Sequence, residues 1–163
     1  MHAPPIAGLQ IRSGTENDIE PVRELLGRVY AATYAPLIGA ARAQALHERW
    51  HSRDALLAQL SAPDSSFLVA ADGEGVLVGH ALASAQRLTI PRLYVAVTHQ
   101  RRGVGRRLLA ELLARHPRAE SVRLYVLEGN AGALAFYRRQ GFSIVGEGEE
   151  DGVRSLRLER SAA

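Results

Sequence analysis

The residue types best suited to chemistry lie in two short segments of the chain. The first is Gln100-Arg101-Arg102-Gly103-Val104-Gly105, which separates an apolar run typical of a strand from a helical pattern. Glycines allow a tight turn and a close approach of the backbone to a ligand, and the first turn of a helix presents unpaired N–H groups. This arrangement favours a bound phosphate or pyrophosphate. The alternative is a glycine-rich turn that only begins a helix.

The second segment follows another strand-like run and extends from Asn130 to Phe142. Together, the two segments resemble the signatures of the GNAT superfamily of N-acetyltransferases. The loop at 100–105 matches the superfamily pattern of glutamine or arginine, any two residues, glycine, any residue, and glycine or alanine. The second signature is matched by Asn130, Ala133, Tyr137 and Gly141-Phe142. The motifs cover roughly residues 90–145.

The resemblance implies that acetyl-CoA is the cosubstrate and lies where the fourth and fifth strands splay apart. It implies that an amide near Val95 polarises the thioester carbonyl, on which attack places negative charge. The loop amides would bind the pyrophosphate, and neighbouring strand residues the pantetheine arm. The expected CoA-binding residues are Leu93, Tyr94, Val95, Gln100, Arg101, Arg102, Gly103, Val104, Gly105, Arg106, Asn130 and Tyr137.

Two of these residues have further implied roles. Tyr137 matches the position whose hydroxyl, in much of the family, protonates the departing CoA thiolate, and a phenol with a pKa of about 10 is protonated near neutrality. The alternative is a tyrosine packed under the sheet with its hydroxyl bonded to the backbone. Asn130 would meet the CoA arm, or it would only cap the following helix.

The acceptor is expected to be an amine on a small molecule, a polyamine or a protein. Some relatives carry a catalytic glutamate where this chain has Thr89 or Tyr125, so no direct protein base is predicted, and water relayed by Tyr125, His80 or Glu128 is an alternative.

The acceptor pocket is predicted at Tyr30, Tyr34 and Tyr125. Core packing is the alternative for the first two, and the acidic run at 147–151 is either a solvated hairpin tip or an attraction for a cationic amine.

The composition excludes several other chemistries. The chain has no cysteine, and all 20 basic residues are arginine, which excludes disulfides, cysteine nucleophiles, Walker loops and Schiff-base lysines. Direct transfer in a ternary complex is therefore predicted, with a non-catalytic acyl-CoA-binding module as the alternative. The net charge of +3 is scattered, and no apolar run reaches the length of about 18 residues that favours a membrane span.

We therefore predict a cytoplasmic monomer or homodimer with no nucleic-acid or membrane partner and no metal. His47 and His51 lie four residues apart in a helical stretch and are predicted to be two surface histidines rather than zinc ligands. Residues 1–8 are predicted to be a disordered tail, and residues 9–160 to be a single acyltransferase domain.

The periodicity of apolar residues predicts the elements that position these segments. Strands are expected near 9–12, 67–71, 76–87, 93–97, 122–127, 142–145 and 153–158, and helices near 15–34, 41–60, 104–115 and 131–139. The strand-helix-strand unit at 93–127 requires a right-handed crossover, so its two strands should be parallel. The expected fold is an α/β fold with a mixed, mostly antiparallel sheet and helices on both faces, in which the resemblance implies a splayed parallel pair.

Overall fold

One seven-stranded sheet organises residues 3–84 and 87–162, which are the residues that the computed structural model describes. The strand order is β1-β2-β3-β4-β5-β7-β6. The strands are β1 (Gln10–Ser13), β2 (Ser65–Ala71), β3 (Leu77–Ser84), β4 (Thr89–Val95), β5 (Ser121–Leu127), β6 (Ser143–Glu150) and β7 (Val153–Ser161). Neighbouring strands are antiparallel except for β4 and β5, so the predicted mixed sheet with one parallel pair is confirmed.

Helices cover the two faces of the sheet unequally. They are α1 (Ile19–Val29), α2 (Ala35–Ile38), α3 (Ala40–Trp50), α4 (Arg53–Ser61), α5 (Val104–Arg115) and α6 (Ala131–Arg139), and a π-helical turn, Tyr30–Tyr34, joins α1 to α2. The first four lie on one face over β2 to β4, and α5 and α6 lie on the other. None of the helices in the described ranges has the length and apolar character needed to cross a bilayer.

The two long helices predicted before β2 are each interrupted. The stretch predicted at 41–60 is two helices, because Ser52 leaves the helical conformation and its Oγ accepts a hydrogen bond from the N–H of Ala55 at 3.2 Å, which begins α4. The stretch predicted at 15–34 ends in the π-helical turn. The predicted tail also differs at residue 6, since Ile6 packs in the main core.

The parallel strands β4 and β5 separate soon after they meet. They are paired only at Thr89–Arg123 and Ile90–Leu124, so the rest of β4 and β5 borders an open splay. On the α1–α4 side, Ala43 and Leu46 of α3 and the tyrosines of the π-helical turn cover the Leu127–Val153 end of β5 and β7. Tyr125 of β5 is 49% exposed on the same face, and the surface formed by Tyr125, Arg157, Gly146 and Gly148 is called the bare sheet surface. This surface therefore begins beside the splay.

A β-bulge in β4 decides which side chains face the splay. Ser84 pairs with Thr89 and Leu82 with Arg92, so β4 has one more residue than β3 over this stretch. Pro91 lies within the bulge, where its missing N–H costs no ladder bond. The extra residue shifts the alternation of side chains. Arg92 and Tyr94, which are two positions apart, therefore face the α1–α4 side. The strand begins four residues earlier than the sequence predicted.

Candidate active site

The glycine loop forms the N-terminus of α5. Gly103 is the residue before the helix and has φ of +84°, a conformation that glycine adopts without strain, and Arg101 has φ of +62°. Arg102 donates to the carbonyl of Pro4 at 2.8 Å, whereas Arg101 and Arg106 are exposed. The loop therefore presents free helix N–H positions together with two exposed guanidinium groups, which suits a pyrophosphate.

The structure gives a packing reason for glycine at position 105, whereas the sequence suggested close approach of the backbone to a ligand. A Cβ on Gly105 would lie 3.2 Å from Cζ of Phe136 and 3.6 Å from Cδ2 of Leu93. The missing side chain therefore lets α5 approach α6 and β4 closely. Close approach to a ligand stays a prediction for this residue.

The last residue of β4 directs its peptide groups into the splay. The N–H of Ala96 donates to the carbonyl of Val78 at 2.8 Å, which makes Val95 and Gly79 a pair without mutual hydrogen bonds. In such a pair both peptide groups of Val95 point away from β3, toward the side from which β5 has diverged. The Gln100 side chain donates to the Val95 carbonyl at 3.3 Å, so the loop and the strand are tied together.

Tyr137 approaches the splay from α6. Its ring is buried between Phe136 and Phe142, with ring centroids 5.0 Å and 5.5 Å away. Burial raises the pKa of the phenol, and the nearby Tyr34, on the other side of the sheet, raises it further. The raised pKa keeps the phenol protonated, and Tyr137 packs in the same core cluster as Val126 of β5 and Val95 of β4, the two strands that border the splay. Asn130 caps α6, because its Oδ1 accepts from the N–H of Ala133 at 3.2 Å.

A cluster of tyrosine hydroxyls lies on the opposite side of the splay. The hydroxyl of Tyr94 is 2.7 Å from that of Tyr34 and 3.4 Å from that of Tyr30. Tyr30 and Tyr34 come from the π-helical turn, and their rings are 4.3 Å apart. Burial raises the pKa of all three phenols, so they are neutral hydrogen-bonding groups. The sequence had assigned only the backbone of Tyr94 to the site.

The comparison with known sequences decides the family. The profile of the Acetyltransferase (GNAT) family matches residues 28–142, which is well over half of the chain. The chain belongs to the GNAT acetyltransferase family.

Individual GNAT proteins resemble parts of the chain or its fold. It is 42% identical over 94 residues to the N-alpha-acetyltransferase RimI of Mycobacterium tuberculosis, covering 54% of the chain and 58% of that protein. It is 40% identical over 89 residues to the streptothricin acetyltransferase of Streptomyces lavendulae, covering 51% and 47%. The chain thus matches about half the length of these curated relatives.

A solved GNAT structure shares the fold over nearly the whole chain. It is the PaiA N-acetyltransferase of Thermoplasma acidophilum in complex with coenzyme A, which superimposes with a TM-score of 0.83. The match covers 94% of this chain and 99% of that one at 23% identity. This likeness establishes the GNAT fold.

Tyr125 does not join the other two residues predicted for the acceptor pocket. Its side chain stands on the bare sheet surface against Gly148, where a Cβ would be 3.1 Å from the tyrosine ring. Tyr30 and Tyr34 are instead buried against Leu127 and Val153. Two of the predicted residues therefore belong to the hydroxyl cluster, and the third borders it from outside.

His80 is wrong as a water relay, because both of its nitrogens are occupied in the core. Its Nδ1 donates to the carbonyl of Leu68 at 2.8 Å, and its Nε2 accepts from Nε of Arg92 at 3.2 Å. Burial, with the charge of Arg92, lowers the pKa of His80 to about 3. Arg92 is 5% exposed and also donates to Gln59. Arg92 was not among the predicted site residues, and an arginine beside an apolar strand run was the available signal for this buried cation.

The prediction of two surface histidines is also wrong. His51 is 1% exposed and packs edge-on against Tyr30, with ring centroids 4.8 Å apart. Its Nδ1 lies 2.8 Å from Nδ1 of His47, so the two imidazoles share one proton in a hydrogen bond. Burial, followed by the charge of Arg92, lowers the pKa of His51 to about 2.

The acidic tip of the β6–β7 hairpin is tied to α3. Asp151 accepts from Nε1 of Trp50 at 2.8 Å and pairs with Arg49 at 2.9 Å. Glu147 pairs in register with Leu156, whose side chain contacts the core on the α6 side. Asp151 is therefore engaged, and Glu147 faces away from the bare sheet surface. Glu150, in contrast, pairs in register with Val153 on the side of the hydroxyl cluster, and burial together with the charge of Glu150 raises the pKa of Tyr30.

Proposed function

We propose that this protein transfers an acetyl group from acetyl-CoA directly to an amine. The observation that carries the proposal is the splay between β4 and β5, into which the peptide of Val95 points and beside which Tyr137 of α6 packs against the core. A thioester in the splay would have an N–H donor at its oxygen and a hydroxyl donor at its sulfur. The loop at 100–105 would hold the pyrophosphate.

The reaction would proceed by attack of a neutral amine on the thioester carbonyl. Negative charge would develop on the oxygen, where the Val95 N–H would stabilise it. The carbon–sulfur bond would then break, and Tyr137 would donate its proton to the sulfur. The proton lost by the amine nitrogen would pass to water, from which the Tyr137 phenolate would be reprotonated. The chain has no cysteine to carry an acyl-enzyme intermediate, which favours direct transfer.

The lack of a carboxylate at positions 89 and 125 favours amines that lose their proton easily. Deprotonating an alkyl amine of pKa about 10.4 costs roughly 4 kcal/mol near pH 7.4, whereas an N-terminal amine of pKa 7.7–8.0 costs under about 1 kcal/mol. Thr89 donates to the carbonyl of Arg87, and Tyr125 is a phenol, so neither supplies a base. Among the relatives, one is named for an N-alpha-amine and one for streptothricin. Acceptors on peptides or small molecules are both proposed, and the cytoplasmic location stays a prediction.

The test measures the turnover of acetyl-CoA with a panel of peptide N-termini, polyamines, amino acids and drug-like amines. The release of the free CoA thiol is the signal that is recorded. Tyr137→Phe should lower the single-turnover rate about 10²-fold and preserve the affinity for CoA measured by calorimetry. An unchanged single-turnover rate would remove Tyr137 as the acid. A wild-type protein that binds CoA and acetylates no amine in the panel would instead be an acyl-CoA-binding module.

A further inference from the structure

The bare sheet surface beside the splay carries a cation with no acidic partner. Arg157 of β7 is the cross-strand neighbour of Tyr125, so both side chains stand on the same face. No carboxylate forms an ion pair with Arg157 within residues 3–84 and 87–162, and its Nη2 donates a long hydrogen bond of 3.5 Å to the carbonyl of Val145. Its Nε is buried and has no partner among those residues.

Two glycines of β6 shape this surface. A Cβ on Gly146 would lie 2.9 Å from Nη2 of Arg157, and a Cβ on Gly148 would lie 3.1 Å from the ring of Tyr125. The absence of side chains at these positions lets the guanidinium and the phenol lie flat on the sheet. Any larger residue would displace them, so the sequence of β6 is compatible with a shallow, open surface there.

The surface is continuous with the proposed acetyl-transfer site. Tyr125 follows directly after Leu124, the last residue of β5 that pairs with β4, so it is the first residue of β5 beyond the point of divergence. Leu127, two residues further on the same face, contacts Tyr30 and Tyr34 of the hydroxyl cluster. An acceptor that lies on this surface with its amine at the splay would therefore place its other end near Arg157.

The charge of the surface selects the class of that other end. Arg123, on the same face, is neutralised by Glu159. Arg157 has no carboxylate partner in the described part of the chain, so its positive charge is not compensated. A guanidinium fork binds a planar carboxylate through two parallel hydrogen bonds, which would also satisfy Nε of Arg157 after a rotation of the side chain. A cationic group there would be repelled.

We propose that Arg157, supported by Tyr125, binds a carboxylate of the acceptor, so that the preferred substrates are amines that also carry a carboxylate. This inference rests on the proposed function, because it uses the same site. It names the specificity of the acceptor, which neither the motifs nor the relatives provide.

The test compares matched acceptors that differ at the end remote from the amine, and kcat/KM is expressed per neutral amine because the carboxylate also raises the amine pKa above that of the carboxamide. Glycine, β-alanine, 4-aminobutanoate and 6-aminohexanoate are each paired with the corresponding carboxamide, and kcat/KM is measured for both members. For the best chain length, the carboxylate should be preferred about tenfold or more, because a charge-assisted pair is lost in the amide. Arg157→Gln should abolish the preference, and Arg157→Lys should keep part of it. The control Arg154→Gln changes an exposed arginine of the same strand that pairs with Glu149 and should keep the full preference.

A wild-type protein with no preference at any length, or an Arg157→Gln variant that keeps it, overturns the proposal and leaves the acetyltransferase function intact. If no amine is acetylated, the proposed function fails, and the subsite is decided by calorimetric titration of the same acids into the CoA-saturated protein. Binding by wild type that Arg157→Gln abolishes supports the subsite, and equal or absent binding rejects it. Thermal melts check that each variant is folded.

Discussion

Tyr94 contributes to both parts of the candidate site. Its peptide belongs to the strand that is expected to hold the CoA arm, and its hydroxyl is the centre of the hydroxyl cluster with Tyr34 and Tyr30. Because burial raises the pKa of each phenol, the cluster is uncharged and orients its donors and acceptors through hydrogen bonds alone. A neutral polar surface of this kind would receive an amine without holding it as a cation.

Tyr34→Phe should raise the KM of the acceptor several-fold and leave the KM of acetyl-CoA nearly unchanged. The substitution removes the hydroxyl that lies 2.7 Å from Tyr94 but keeps the buried ring, and the loss in the free energy of unfolding should be about 1 kcal/mol. Tyr34→Ala is less informative, since a cavity at this buried position would cost about 3–5 kcal/mol. Initial rates with each substrate varied provide the test.

Tyr30→Phe is the matched control, because its hydroxyl makes the longer contact of 3.4 Å with Tyr94. It should change the acceptor KM less than Tyr34→Phe does. A folded Tyr34→Phe protein whose two KM values equal those of wild type would separate the hydroxyl cluster from acceptor binding.

Among the elements, the start of α5 depends on two glycines for different reasons. Gly103 needs a positive φ, whereas Gly105 needs space beside Phe136. The first requirement is a property of the loop that would hold the pyrophosphate, and the second is a property of the contact between α5 and α6. The two effects can therefore be separated by adding one methyl group at each position.

Gly103→Ala should lower the free energy of unfolding by about 1–2 kcal/mol, the cost of a left-handed conformation for alanine, and should weaken CoA binding. Gly132→Ala is the control: it lies in the first turn of α6, where a Cβ would meet only Oδ1 of Asn130 at an ordinary 4.0 Å, and it should stabilise the protein by up to about 1 kcal/mol without changing CoA affinity. Denaturant melts and calorimetric CoA titrations measure both quantities. A Gly103→Ala protein with wild-type CoA affinity would show that the loop conformation is not needed for binding.

The sequence predicted the elements whose signals are local. The apolar periodicity of α5 and the flanking strands, with glycine or proline at their ends, was sufficient to place the β4-α5-β5 unit and its parallel pairing. Pro91 is a local signal for an irregularity in β4, but it does not fix the register of the bulge, so the orientation of Arg92 was missed. Its partners Gln59 and His80 are 33 and 12 residues away in the chain, and only the fold brings them together.

The histidines show the same limit on a different element. The spacing of His47 and His51 is identical whether the helix faces solvent or another helix. What buries His51 is its packing on Tyr30 of the π-helical turn, and a turn of that kind, at the end of an otherwise regular α1, has no distinct apolar period. For the site, the residue types of the GNAT motifs were recognisable, whereas the bare sheet surface around Arg157 required knowledge of which part of the sheet lacks a covering helix.

At the scale of the whole molecule, buried imidazoles determine the response to acid. Burial lowers the pKa of His51 to about 2 and that of His80 to about 3, in both cases with a contribution from Arg92. Each group therefore binds a proton more weakly in the folded protein than in the unfolded chain, where the pKa is about 6.5. Hence the unfolded state takes up more protons as the pH falls below about 6.5, and folding is opposed.

We expect the free energy of unfolding to fall as the pH decreases from 7 to 4, with a slope approaching about 1.4 kcal/mol per pH unit for each of these two histidines. Urea titrations at pH 7.5, 6.5, 5.5 and 4.5 measure the slope. The Asp18 carboxylate, whose pKa is lowered mainly by its hydrogen bond with Arg12, would add a loss only at lower pH, near and below its ordinary pKa of 3.8. His51→Gln removes one titrating group. It should reduce the slope between pH 6.5 and 4.5 by about 1.4 kcal/mol per pH unit, which corresponds to one proton. A stability that stays constant between pH 7 and 5 would mean that these imidazoles become hydrated or charged in the folded protein.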